Sequence, residues 1–274
     1  MKKLFFLLTL LSAVTFLSVF SVYAGDAVIN SESKTKGYVT IKFTDMKDAL
    51  KNQTIRIIVQ KNVKDGEKYQ YTPLEETVYI PLQMGAGEYN IQIVEMVPNT
   101  NPPKGKPLKA DKVTVPADYD EKEMYKISSP IVNYGASKEA VPAFLKLVEA
   151  TAPNDKKVAV VHKTVVEGYT YDFEKAKSVQ AGYVPVLDNT YKEKKGICYD
   201  YSALLGGSLR KMNVPTRLVM GYRPDVKEYH AWNEVLLNGK WVCVDATYDA
   251  AVFAAKKPYT LGKDSSKNTI VKIY

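Results

Sequence analysis

Apolar and polar residues alternate through much of the first half of the chain. Between Gly37 and Val97 the alternation is clearest in the segments 39–43, 78–82 and 89–93, and two glycines mark a turn between the last two. A period of two is typical of strands that bury one face, and such runs separated by turns indicate an all-β unit. We therefore predict a small antiparallel β domain, a sandwich of short strands.

The pattern changes after this region. Residues 98–121 are rich in proline and lysine, and we interpret them as a connection with one last strand near Val113 to Val115. Helical spacing follows, first over 142–150 and then up to Gly168, in a helix that Asn154 or Asp155 can cap. His162 lies on the valine stripe of the second helix, where a histidine is usually a packing residue.

The N-terminus has the features of an export signal. Lys2 and Lys3 precede an apolar run from Leu4 to Val22, and a small-residue cleavage pattern ends at Ala24. The run is longer than most signal cores, so an uncleaved membrane anchor stays open. We expect cleavage, a secreted protein at the cell envelope, and no stable membrane insertion afterwards. The predicted units are a signal peptide (1–24), an N-terminal β-sandwich-like domain with its Pro/Lys-rich connection (25–132) and a catalytic domain (133–274).

Composition narrows the function classes. The formal net charge is +8, but the basic residues are scattered lysines without interleaved aromatic residues, so no nucleic-acid partner is predicted. Two cysteines and two histidines are too few for a zinc cage, and the acidic residues lack calcium-loop spacing. We predict no metal and no cofactor. The sequence leaves the oligomeric state open.

One cysteine occupies a chemically distinctive position. The segment Gly196 to Leu205 (GICYDYSALL) predicts a helix that starts at Cys198 and ends near Met212. Cys198 continues the buried face of Tyr201 into the first turn, where the helix dipole favours an anion. Asp200 in the same turn opposes a thiolate. Cys198 is therefore either an apolar first-turn residue or a nucleophile.

A predicted hairpin supplies partners for a nucleophile. Asn238-Gly239 joins two strand-like runs, so a two-residue turn pairs the residues on either side of it. Counting outward places Trp232 opposite Asp245 and His230 opposite Thr247. His230 and Asp245 then share a face as diagonal neighbours, about 7 Å or less apart at Cβ. An imidazole base needs an orienting carboxylate placed in this way.

The predicted hairpin register also tests the alternative that Cys198 forms a disulfide. Two cysteines in an exported protein suggest a bond between Cys198 and Cys243. The count places Cys243 opposite Glu234, about 13 Å along the strand from the position that faces His230. A Cys198 that reaches His230 therefore cannot also bond Cys243. We predict a triad of Cys198, His230 and Asp245.

Three blocks, which fall within two segments of the sequence, resemble a known family. The segments KKGICYDYSALLGGSLRKMNVPTRLVMGY and YHAWNEVLLNGKWVCVDAT resemble the core of the transglutaminase-like superfamily, a papain-like cysteine fold of secreted bacterial proteins among others. The likeness covers roughly residues 155–250. It implies an α+β papain-like core, with the Cys helix packed on an antiparallel sheet, behind the small all-β sandwich domain.

The resemblance also implies residue roles. Cys198 becomes the nucleophile, His230 the general base and then acid, and Asp245 the group that orients His230. The backbone N–H of Cys198 is a natural oxyanion donor, and Tyr171 and Tyr191 are candidates for the second donor. We expect two tryptophans on the His230 face, Trp232 and Trp241, to pack around the site.

The activity stays open among three classes. We favour a cysteine hydrolase, a peptidase or amidase, that attacks a carbonyl of a protein or peptide substrate through a thioester. A protein-glutamine crosslinking transferase is the alternative within the same chemistry. An extracellular binding module with an idle triad is the alternative of another class.

Overall fold

The computed structural model describes residues 25–63, 66–97, 99–100 and 102–274. The predicted signal peptide at residues 1–24 lies outside the described residues. Within the described ranges, no helix combines the length and the apolar character needed to cross a bilayer.

Two antiparallel sheets form the first part of the chain. Its elements are β1 (Asp26–Asn30), β2 (Tyr38–Thr44), α1 (Lys47–Lys51), β3 (Ile55–Lys61), β4 (Lys68–Tyr71), β5 (Thr77–Pro81), β6 (Gly87–Val97) and β7 (Lys104–Val115). One sheet has the order β1-β2-β5 and the other β4-β3-β6-β7. Buried residues of both sheets, such as Ile41 and Ile93, belong to one apolar cluster. The alternation in 39–43 is confirmed, because Val39, Ile41 and Phe43 are buried and the residues between them are not.

The predicted strand near Val113 to Val115 is confirmed but begins as early as Lys104, so the interpretation of the preceding residues as a connection is wrong. β7 pairs with β6 from Lys104 to Val115, with a bulge where the pairing passes Pro107. β7 is an edge strand, and only Val113 and Val115 are buried. An edge strand and a bulge are the places where a sheet tolerates proline and exposed lysines.

Helices and one larger sheet form the rest of the chain. The elements are α2 (Glu121–Met124), α3 (Ala140–Leu145), α4 (Asn154–Gly168), β8 (Thr170–Tyr171), α5 (Phe173–Ser178), α6 (Leu187–Glu193), β9 (Lys195–Gly196), α7 (Cys198–Lys211), β10 (Thr216–Arg223), β11 (Val226–Leu237), β12 (Lys240–Val244), α8 (Ala246–Ala254) and β13 (Thr269–Ile273). The sheet has the antiparallel order β12-β11-β10-β13, and α7 packs on β10 and β11. The protein is α+β as predicted, with a cysteine-bearing helix against an antiparallel sheet.

The predicted helices agree unevenly with the structure. α4 ends at Gly168 as predicted and its His162 is buried, but Pro153 is the N-cap, so the prediction that Asn154 or Asp155 caps this helix is wrong. α3 starts and ends earlier than the predicted 142–150. α8 was expected to be strand, because the hairpin count ran on to Thr247. The ladder between β11 and β12 ends instead at Asn233 and Val244.

A polar contact fixes α7 on the sheet. The Asn233 side-chain amide donates to the carbonyl oxygens of Ser202 in α7 (3.0 Å) and Arg217 in β10 (3.1 Å). Asn233 is buried, so both bonds form away from water, where leaving a polar group unpaired is costly. The helix that begins with Cys198 is thus held against the two strands in the middle of the sheet.

Candidate functional site

Short local contacts set the start of α7. β9 runs parallel to β8 beside it, with Tyr171 opposite Gly196. Oδ2 of Asp200 accepts the backbone N–H of Ile197 (2.8 Å), which closes the first turn. Cys198 stands at this turn and is partly exposed. Because the first-turn N–H groups of a helix have no carbonyl partner within it, Cys198 lies among free donors.

Both cysteines are free thiols, so the disulfide alternative is wrong. The predicted hairpin register, on which the exclusion of that disulfide bond rested, is confirmed between Glu234 and Lys240. Leu237 pairs with Lys240 and Glu234 with Cys243, and both residues of the Asn238-Gly239 turn have positive φ, 49° and 75°. Positive φ at both turn positions is the type I′ geometry that this dipeptide favours.

The structure brings the three predicted residues together. His230 Nε2 lies 2.8 Å from Asp245 Oδ2, and both side chains are buried. The Cys198 side chain hydrogen-bonds to that of His230, which leaves Nδ1 as the ring nitrogen for the thiol. The imidazole therefore stands between a thiol and a carboxylate.

Asp245 lies next to His230, but it does not lie on the strand that the hairpin count predicted. It follows the last residue of β12 as the N-cap of α8, and its Oδ1 accepts the backbone N–H of Tyr248 (2.9 Å). Asp245 is therefore fixed by a helix start rather than by strand pairing. The predicted proximity of Asp245 to His230 is correct, but β12 ends at Val244, so Asp245 does not lie on a strand.

His230 has an unusually stable protonated form. Burial alone would lower the pKa of its imidazole, but hydrogen bonds to Asp245 and Cys198 and the negative charges of both more than offset burial. The pKa is raised from its ordinary value of 6.5 to about 10. An imidazolium beside a thiol favours the thiolate, which is the reactive form.

A buried arginine stands behind this pair. Arg223 Nε lies 3.5 Å from Asp245 Oδ2, the same oxygen that contacts His230. The guanidinium also holds both carboxylate oxygens of Asp225, at 3.1 and 2.8 Å, and donates to Cys243 Sγ at 3.2 Å. Burial is the largest influence on Cys243 and raises the pKa of its thiol to about 12.

Aromatic side chains surround the site. Trp232 stacks beside His230, with ring centroids 6.4 Å apart, as expected. Burial raises the pKa of Tyr171 and of Tyr229 to about 12, and the negative charge of Cys198 contributes to both shifts. Both phenols therefore lie near the thiol and stay protonated.

Two of the expected aromatic neighbours lie elsewhere. Trp241 packs against Tyr125 (5.5 Å between centroids) and the Arg217 guanidinium (3.9 Å). It pairs with Leu236, six residues and about 20 Å along the strand from His230. Tyr191 packs against Phe144 and Lys194, so its ring belongs to the helical layer.

A second histidine–aspartate pair lies within the helical layer. His162 Nε2 is 2.9 Å from Asp249 Oδ2, and Lys263 Nζ is 2.5 Å from Oδ1 of the same carboxylate. All three side chains are largely buried. Asp249 lies one turn after Asp245 in α8, so this cluster anchors the helix that Asp245 caps.

Residues 145–246 match the model of the transglutaminase-like superfamily. Over these residues the chain is similar to that superfamily. The match includes Cys198, His230 and Asp245, and it confirms the resemblance read from the sequence.

Several solved structures are similar to parts of the chain. A candidate cysteine protease from Cytophaga hutchinsonii is 16% identical over 70% of this chain and 64% of its own (TM-score 0.40). A candidate protease from Parabacteroides distasonis is 12% identical over 75% and 62% (TM-score 0.34). Red sea bream transglutaminase is 12% identical over 80% and 52% (TM-score 0.28). The chain thus spans less than two thirds of the length of these proteins, and no curated protein matches it.

Sequence reasoning missed Arg223 and its partners. Its contacts depend on how β10 passes behind the hairpin, which no local pattern reports. One signal was available in the sequence. The segment Gly-Tyr-Arg-Pro-Asp contains an arginine, whereas most basic residues of this chain are lysines. Arginine suits a buried site because its planar fork binds a carboxylate through two bonds.

Proposed function

We propose that the protein is a cysteine hydrolase, a peptidase or amidase, that attacks an amide carbonyl through a thioester on Cys198. The observation that carries the proposal is the chain of hydrogen bonds from Cys198 through His230 to Asp245. A nucleophile with a base, and a base with an orienting group, is what covalent catalysis requires. Similarity to the transglutaminase-like superfamily supports the same chemistry.

In the first half-reaction the Cys198 thiolate adds to the carbonyl carbon. The oxyanion would be held by the backbone N–H of Cys198 and, we propose, by the hydroxyl of Tyr171, which lies near the thiol and stays protonated. The carbon–nitrogen bond then breaks, and His230 gives its proton to the leaving nitrogen. A thioester remains on Cys198.

In the second half-reaction water takes the acyl group. His230, now neutral, removes a proton from the water, whose oxygen adds to the thioester carbonyl. The carbon–sulfur bond breaks, which restores the Cys198 thiolate beside the His230 imidazolium, and the carboxylic acid product gives its remaining proton to solvent and leaves as a carboxylate. Partial exposure of Cys198 supports water as the acceptor, because solvent can reach the acyl position.

The first experiment needs no substrate. We expect iodoacetamide at limiting concentration to alkylate Cys198 rapidly near neutral pH and to leave the buried Cys243 unmodified. His230→Ala should slow the labelling by at least about 100-fold, because the imidazole that activates the thiol is gone. Mass spectrometry identifies the labelled cysteine. Equal labelling rates in parent and His230→Ala protein would contradict the proposal.

The acceptor can be tested with a glutamine-containing protein such as casein and a dansylated primary amine. Hydrolysis predicts new peptide termini or free ammonia without dansyl incorporation. Dansyl incorporation that depends on Cys198 would replace the hydrolase proposal with the crosslinking transferase. If neither product forms and Cys198 labels slowly, the binding-module alternative takes its place. Cys198→Ala is the control for each product.

We also propose that the protein acts outside the cell, on a protein or peptide at the envelope. The proposal rests on the signal-like residues 1–24. Export of the full-length chain, followed by N-terminal sequencing, should give a mature protein that begins at Gly25. A cell-retained chain that still begins at Met1 would contradict it.

A further inference from the structure

Besides the imidazolium of His230, Arg223 is the one cation in contact with the Asp245 carboxylate among the ion pairs of the described residues. Only 3% of its side chain is exposed, against 40% for its partner Asp225. A buried cation beside a buried anion acts strongly because little water screens the pair. The contact is at Oδ2, the oxygen 2.8 Å from His230 Nε2. Arg223 and His230 therefore compete for the same negative charge.

Each nitrogen of the guanidinium has its own neighbour. Nε donates to Asp225 Oδ1 and lies near Asp245, Nη2 donates to Asp225 Oδ2, and Nη1 donates to Cys243 Sγ. The guanidinium thus bridges the turn between β10 and β11, the end of β12 and the start of α8. His230 lies on β11 beside this bridge. Movement of Arg223 would displace the carboxylate that orients the imidazole.

The charged and titratable groups that face the His230–Asp245 pair are few. Arg223 lies at the end of β10, Asp225 in the turn that follows, Cys243 on β12 and Cys198 on α7. From α8 the carboxylate receives a backbone N–H, that of Tyr248. The Asp225 carboxylate attracts the imidazolium of His230 and also neutralises part of the positive charge of Arg223. Removing Asp225 and removing Arg223 should therefore affect His230 in opposite directions.

We propose that Arg223 is a positioning residue for the cysteine site. It holds the Asp245 carboxylate against His230 and, together with Asp225, limits how strongly that carboxylate stabilises the imidazolium. A weaker hold on the imidazolium proton lets His230 give that proton to the leaving nitrogen. The consequence for catalysis rests on the proposed function, but the coupling of Arg223 to His230 does not.

The coupling can be measured directly, because the chain has only two histidines. We would titrate the imidazole Cε1–H resonances by NMR between pH 5 and 11 in a Cys198→Ala background, which removes the thiol. Arg223→Gln should raise the His230 midpoint by about one pH unit, as expected for a partly compensated cation roughly 6 Å away. Asp225→Asn should lower it, and Arg223→Lys should stay closer to the parent than Arg223→Gln does.

Arg217→Gln is the matched control. Arg217 lies on the same strand and is also largely buried, but it pairs with Glu121 and Glu234. The His230 midpoint should not move in this variant. The resonance of His162, which is held by Asp249 in the helical layer, reports whether each variant retains the native fold.

An unchanged His230 midpoint in a folded Arg223→Gln protein would overturn the proposal. If Arg223→Gln loses the native His162 resonance, the Asp225→Asn variant decides, and a midpoint that fails to fall overturns it. A separate measurement compares alkylation of Cys198 by iodoacetate and iodoacetamide, since an imidazolium attracts only the anionic reagent. The preference for iodoacetate should persist to higher pH in Arg223→Gln. A protein whose Cys198 reacts with neither reagent, while the NMR shifts occur, would refute the proposed function and leave the role of Arg223 intact.

Discussion

Asp245 uses its two carboxylate oxygens for different partners. Oδ2 contacts His230 and Oδ1 caps α8. Asparagine caps a helix about as well as aspartate but carries no charge, so substitution can separate the two roles. We expect Asp245→Asn and Asp245→Ala to lose Cys198 reactivity to a similar extent. Asp245→Asn should be about 1 kcal/mol more stable than Asp245→Ala.

Alkylation rates and thermal unfolding of the two variants test this expectation. Equal unfolding temperatures would mean that the cap contributes nothing measurable. A reactive Asp245→Asn protein would mean that the carboxylate charge is not needed by His230. We also expect Asp245→Ala to be the mildest of the three alanine substitutions in the triad.

The pKa of His230 gives the stability a pH dependence. Its value is raised in the folded protein to about 10 from an ordinary 6.5. The imidazolium therefore stabilises the fold fully below pH 6.5, and this contribution is lost as the pH rises towards 10. It is on the order of a few kcal/mol. We expect the unfolding temperature to fall between pH 7 and 10 more steeply in the parent than in His230→Gln. Parallel curves would contradict the raised pKa.

At the residue scale the sequence predicted the triad but not its surroundings. Asn238-Gly239 fixed the hairpin register, and the helix start at Cys198 was visible in the local pattern. The contact between Arg223 and Asp245 was not predictable. It depends on how the turn after β10 packs against the end of β12, and no local sequence pattern reports that packing. The position of Asp245 at a helix cap was missed for a related reason, since Val-Asp-Ala-Thr fits a strand as well as a helix start.

Among the elements, β10 and β13 approach each other most closely at Gly221. A Cβ added there would lie 2.0 Å from the backbone oxygen of Thr269, so the two strands would have to separate. Gly221 is also the partner of His230 across β10 and β11. We expect Gly221→Ala to destabilise the fold by about 2 kcal/mol or more and to slow Cys198 alkylation.

Urea unfolding measures the loss, and Gly168→Ala is a matched control. Gly168 ends α4, and an added Cβ there meets nothing within 4 Å. Its substitution should leave the urea midpoint nearly unchanged. If Gly221→Ala is as stable as Gly168→Ala, the close approach of the strands is not a constraint.

Element prediction succeeded where one face of a strand or helix is buried. α4 and the alternating segment of β2 are examples. β7 failed because it lies at a sheet edge and buries only its last residues, so its exposed lysines carry no alternation. The short helices α5 and α6 were not predicted, because helices of six or seven residues are too short for a period to emerge.

Across the whole molecule, Arg210 links parts that lie far apart in sequence. Its guanidinium is buried and donates to the carbonyl oxygens of Thr216 (2.8 Å), Ile127 (3.2 Å) and Tyr274 (2.7 Å). The Tyr274 ring in turn packs edge-on against Tyr69, in the first part of the chain, at 5.5 Å. We expect Arg210→Met to lower the free energy of unfolding by at least about 3 kcal/mol, because three carbonyl oxygens lose the hydrogen bond from the Arg210 guanidinium.

The same network, with one apolar cluster shared by both parts of the chain, predicts joint unfolding. Calorimetry of the parent should give a single transition, and Arg210→Met should move that transition without splitting it. Two resolved transitions in the parent would mean that the β sheets and the cysteine-bearing core are independent. Arg210→Lys should lie between the parent and Arg210→Met, because an ammonium cannot reach all three carbonyls.

The double use of Asp245 has a consequence for how this protein can change over generations. Cys198 can be exchanged at modest cost to folding, whereas loss of His230 also removes a stabilising imidazolium, so an inactive descendant should lose Cys198 first. Asp245 cannot drift as freely, because its loss also removes the cap of α8. In a library selected only for folded protein, residue 245 should stay restricted to aspartate, asparagine, serine and threonine. Selection for activity should then narrow it to aspartate alone.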